Sequence, residues 1–66
     1  NDMTTQEKQT RFNRLEEVRV SSLMEIERLQ AELEVTTSEA QKNKLDVSID
    51  WNWSEIDNAM QLQRDI

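Results

Sequence analysis

The chain contains no cysteine, histidine, glycine, proline or tyrosine. Each absence excludes something. Without cysteine there is no disulfide, and without cysteine or histidine there is no thiolate or imidazole metal site, so only carboxylate ligands remain. The commonest general base and the thiol nucleophile of enzymes are missing as well. At average usage, 66 residues would include about eight glycines and prolines together. Sheets and tight hairpins need those residues at their turns, and long helices do not. No glycine-rich loop is available to cradle a phosphate. No apolar run approaches the roughly 18 residues of a membrane span, and there is no signal-peptide pattern. The lack of cysteine fits a reducing compartment, and a cytoplasmic location is the expectation.

What is present is charge and helical periodicity. Charged residues make up 33% of the chain and hydrophobic ones 35%, and the net charge is −6. That balance disfavours nonspecific attraction to nucleic acid or to anionic lipid. A single domain of this size buries little surface, and small scaffolds add disulfides, a metal or a partner chain. With the first two excluded, a partner chain is the expected support. Asn1 and Asp2 precede the first methionine and enter no argument.

Met3-Thr4-Thr5-Gln6-Glu7 opens the first element as a capping box: Thr4 caps the first turn and Glu7 reaches back. Val35-Thr36-Thr37-Ser38-Glu39 repeats the phrase, with Thr36 and Glu39 in the same roles. The expectation is an all-α antiparallel hairpin, with helix 1 over about 5–34, a turn over about 35–37 and helix 2 over about 38–65. On helix 1, Phe12, Leu15, Val18, Leu23, Ile26, Leu29 and Leu33 share a broad face that Arg19 and Ser22 interrupt, and Val20, Met24 and Ala31 form a thinner stripe behind it. On helix 2, Leu45, Ile49, Trp53, Ile56 and Met60 make the main face, with Ala40, Val47, Trp51 and Leu62 on nearly the opposite side. One partner helix cannot cover two opposite faces. The second face therefore calls for another chain, and a homodimeric four-helix bundle is the expected assembly.

Residues 45–53 carry a competing signal. Leu45, Val47, Ile49, Trp51 and Trp53 alternate with polar residues, as a half-buried strand would. In helical geometry the same residues put Leu45, Ile49 and Trp53 inward and Val47 and Trp51 outward. The surrounding composition favours helix. The alternative is a local strand followed by a fresh helix capped by Ser54 and Asp57.

Folding the hairpin about residue 36 pairs residue i with roughly residue 72 − i, given about 1.5 Å of rise per residue on both helices. Phe12 then meets Met60, Leu15 meets Ile56, Leu23 meets Ile49 and Ile26 meets Leu45. Arg19 falls opposite Trp53, within reach of a cation–π contact. The basic Lys8, Arg11, Arg14 and Arg19 face Glu55 and Asp57 as rim ion pairs.

Ser21, Ser22, Ser38, Ser48 and Ser54 have no activating partner in sequence, so no enzyme, cofactor or small-molecule substrate is expected. The sharper candidates are for partner binding. Trp51, flanked by Val47 and Leu62, has the character of an interface anchor. Glu39, Asp46, Asp50 and Asp57 lie within about 20° of one line on an ideal helix and span roughly 27 Å. That ridge is a steering charge for a basic surface, or a solvated helix flank. Positions seven apart on a helix are separated by about 10 Å, so they cannot share one metal ion.

The expected function is a non-enzymatic protein–protein interaction module, a small acidic assembly factor, adaptor or inhibitor. One alternative is an acidic nucleic-acid mimic that inhibits a nucleic-acid-binding protein, of the kind phages use against host defence. A fragment of a longer coiled coil is another, since nothing at Asp65-Ile66 signals a stop. The opening Met3-Thr4-Thr5-Gln6-Glu7-Lys8, with the size and inferred hairpin, resembles the plasmid-encoded Rop RNA-binding family over about six residues, counting from Met3. That resemblance implies a dimeric four-helix bundle contacting RNA through helix 1, with Lys8, Arg11, Asn13 and Arg14 as the contacts. The rest of helix 1 departs from the family pattern, and the two tryptophans are foreign to it.

Overall fold

The computed structural model describes residues 3–66; Asn1 and Asp2 lie outside the described residues. It contains two α-helices, α1 (Thr5–Val35) and α2 (Glu39–Arg64), packed against each other as a hairpin. Residues 45–53 are helical throughout. Among the described residues no helix is long and apolar enough to cross a membrane. The hairpin is a rod of 53 × 15 × 12 Å with a radius of gyration of 15.7 Å. A compact domain of this length would have a radius near 11 Å.

Thr4 caps α1 as a complete capping box. Its hydroxyl accepts from the Glu7 amide at 3.1 Å, and the Glu7 carboxylate accepts from the Thr4 amide at 3.3 Å. The second capping box expected at Thr36 and Glu39 does not form. Thr36 is the C-cap of α1, and its amide closes the last turn on the Glu32 carbonyl at 3.0 Å. Ser38 caps α2, accepting from the Gln41 amide at 3.2 Å. Ser38 is followed three residues on by Gln41, which is itself a capping pattern. The Thr36 hydroxyl meanwhile accepts from the Ser38 amide at 3.4 Å. Two hydroxyls thus share the work of a three-residue turn, and no positive φ is needed among the described residues.

The seam is narrower than the broad apolar faces of the sequence suggest. Leu15, Arg19, Ser22, Ile26, Leu29 and Leu33 on α1 are buried or half-buried at alternating steps of four and three. On α2 the series is Lys42, Leu45, Ile49, Asn52, Ile56, Ala59 and Gln63. This is the a/d stripe of a coiled coil, which buries about two residues in seven. Ile26, Leu29, Leu45, Ile49 and Ile56 form the buried cluster, with Leu33 against it. Trp53 and Met60 on α2, and Val18 and Leu23 on α1, sit one position off that stripe and remain exposed, as does Phe12, which continues the stripe one step before Leu15. Asn52, Ala59 and Gln63 hold the inward positions that would otherwise be assigned to Trp53 and Met60.

The register slides with it. Gln63, not Met60, lies against Phe12, and the Gln63 amide nitrogen donates to the Phe12 carbonyl at 3.2 Å. Arg19 reaches Gln63 at 2.9 Å. The later start of α2 and the match of the two a/d stripes displace the pairing from the one expected about residue 36.

Candidate protein interface

Three surfaces concern binding: the outward side of α2, its acidic edge, and the flank where both helices meet around Trp53. Each is set by where the a/d stripe falls.

Val47 and Trp51 lie four apart on α2 and point away from the seam, at 69% and 66% exposure. They border a shallow groove whose α1 side is supplied by Glu25, Arg28 and Leu29. Arg28 is clamped along α1 by Glu25 and by Glu32, the latter at 2.6 Å, and the Glu25 carboxylate pushes its guanidinium pKa above the ordinary value. Leu62 does not share their exposure; it is half-buried. Of the three anchors expected from sequence, two stand free and the third is partly absorbed into the hairpin.

Glu39, Asp46, Asp50 and Asp57 are all exposed along α2. Glu39 also stabilises the first turn of the helix, as an acidic residue at a helix N-terminus does, and Lys42 lies 3.4 Å from it. The ion pairs among the described residues run along one helix rather than across the seam. Glu55 and Asp57 therefore do not serve as rim partners for the basic end of α1. Lys8, Arg11, Asn13 and Arg14 are exposed. Arg11 and Arg14 line an open depression on α1 with Thr4 and Glu7. Among the described residues no group of three or more acidic side chains gathers closely enough to hold a metal ion.

The open end of the hairpin is fastened by polar groups. The Arg19 guanidinium donates to Glu16 at 3.0 Å and to Gln63 at 2.9 Å, and the Gln63 amide donates back to Glu16 at 3.0 Å. Gln63 is only 8% exposed, and no buried side-chain polar atom among the described residues lacks a partner. Arg19 is thus committed to Glu16 and Gln63, although it borders the same groove as Trp53. The sequence showed Arg19 and Ser22 as interruptions of a face. The missed signal was that Gln63 lies on the same stripe of α2 as Leu45, Ile49 and Ile56.

That groove is the third surface. Glu16, Arg19, Val20 and Leu23 from α1 and Trp53 and Ile56 from α2 line it. Leu23 and Trp53 are each 45% exposed. No protein-family model, curated protein or solved structure matches the chain.

Proposed function

We propose that this chain is a non-enzymatic protein–protein interaction module whose hairpins pair into a dimeric four-helix bundle and present the outer side of α2 to a further protein. The observation that carries the reading is the free tryptophan. Trp51 and Val47 project from the middle of a continuous helix beside the exposed Asp46 and Asp50. A fixed apolar anchor with an acidic edge suits a partner that offers an apolar pocket rimmed by basic residues. The module would act by holding that partner, as an assembly factor, adaptor or inhibitor.

The test is capture from the source organism with three baits: the natural chain, Trp51→Ala, and Asp46→Lys with Asp50→Lys. A partner lost with Trp51→Ala and little affected by salt supports the anchor. Capture that is indifferent to both variants contradicts the reading. The unbroken exposure of Glu39, Asp46, Asp50 and Asp57 along α2 favours a second reading, a charge mimic of nucleic acid. In that case the double lysine variant abolishes capture, and salt weakens it steeply.

A further inference from the structure

We infer that the second copy docks on the Leu23–Trp53 flank, with the two hairpins antiparallel, and leaves Trp51 outside the bundle. The inference rests on the dimeric reading above and names its face and direction. A four-helix bundle needs an apolar face to which both helices of each hairpin contribute. The Leu23–Trp53 flank is such a face. Phe12 and Leu23 are eleven positions apart, within about 20° of each other on α1, and Trp53 and Met60 share a side of α2 at a spacing of seven. All four are between 39% and 45% exposed, and Val20 adds to them. The Val47–Trp51 surface draws its exposed apolar side chains from α2, because α1 meets it with the charged Glu25 and Arg28 and with Leu29, which is already buried in the seam.

The exposed area is of the size that a dimer removes. A compact monomer of 7.9 kDa would expose about 4,400 Å². This chain exposes 5289 Å². The excess is close to the roughly 800 Å² that each partner contributes to a standard interface. Polar residues at the seam make the need greater. Arg19, Ser22, Asn52 and Gln63 occupy inward positions, so the hairpin alone buries few large apolar side chains.

Charge sets the direction. Toward the open end, Lys8, Arg11, Arg14, Arg19 and Arg64 nearly balance Glu7, Glu16, Glu17, Glu55, Asp57 and Asp65, while nearer the turn Arg28, Lys42 and Lys44 are outnumbered by Glu25, Glu27, Glu32, Glu34, Glu39, Asp46 and Asp50. Parallel hairpins would set acid beside acid. Antiparallel hairpins set each acidic half beside the partner's nearly balanced open end and hold the two turns far apart.

The absence of cysteine makes the test clean. Spin labels on Thr37→Cys in the full chain measure the distance between turns in the dimer. The expected distance is comparable to the 53 Å length of the rod, and a distance under half of that overturns the antiparallel arrangement. Sedimentation of Leu23→Gln and of Trp53→Gln is expected to show at least about thirtyfold weaker dimerisation, and of Trp51→Gln less than about threefold. The reverse order overturns the docking face and leaves the dimer intact. A folded natural chain that stays monomeric overturns both the inference and the dimeric reading beneath it. Should the flank variants unfold as they dissociate, Leu23→Cys and Val47→Cys decide the face. Oxidative cross-linking between copies through Leu23→Cys is expected, and cross-linking through Val47→Cys alone contradicts the inference.

Discussion

The two halves of the hairpin are closed by different means. Near the turn, Ile26, Leu29, Leu33, Leu45 and Ile49 meet in a dry seam. Toward the open end, Leu15 and Ile56 share the seam with Arg19, Ser22, Ala59 and Gln63. The dry half supplies burial energy, which is non-directional. The polar half supplies geometry, because Gln63 satisfies Glu16, Arg19 and the Phe12 carbonyl together in this register. An all-leucine seam would tolerate a slip by a heptad, and a buried hydrogen-bonded side chain resists one.

That contrast fixes the order of mutational effects. The largest belongs to the dry half. Ile26 is 1% exposed and Leu45 4%, and truncating either to alanine is expected to cost on the order of 3 kcal/mol in urea unfolding. Next comes Gln63→Ala, which removes the bonds to Arg19, Glu16 and the Phe12 carbonyl but leaves the Arg19–Glu16 pair in place, at about 1 kcal/mol. A sharper version replaces the pair together. Arg19→Met with Gln63→Leu is expected to keep or raise the midpoint while loosening register, visible as doubled amide resonances in an NMR spectrum. Loss of stability on that double replacement would show that the polar half contributes burial-like energy after all.

Local effects of similar size follow at the ends. Thr4→Ala and Ser38→Ala each remove one capping bond, at about 1 kcal/mol apiece. Amide exchange is expected to rise in the first turn of α1 in one variant and of α2 in the other. The smallest effect is that of Arg28→Gln. Its ladder with Glu25 and Glu32 lies on the solvent side of α1, and the melting curve at physiological salt is expected to be unchanged.

The sequence revealed the helices and hid the seam. Twin hydroxyl-rich phrases and the lack of glycine and proline suffice for two helices with a short turn. They did not show which hydroxyl caps α2, because Thr36, Thr37 and Ser38 are all competent and only tertiary register chooses Ser38. The breadth of the apolar faces misled in a specific way. Leu23, Trp53 and Met60 read as core because they are large and apolar, while Gln63 and Ala59, polar or small, enter neither apolar face. The hairpin follows the strict three–four spacing instead, since two helices alone can bury only that stripe. The outward position of Val47 and Trp51 was legible from the same spacing, and the half-burial of Leu62 was not.

Those displaced residues are the reason to regard the hairpin as half of a unit. Large side chains left on a flank that both helices share, on a rod too thin to bury them, support the proposed second hairpin. Sedimentation equilibrium of the natural chain at micromolar concentration tests this most directly. The expected result is a species of twice the 7.9 kDa chain mass with helicity that falls as it dissociates. A fully helical species at the mass of one chain would contradict it.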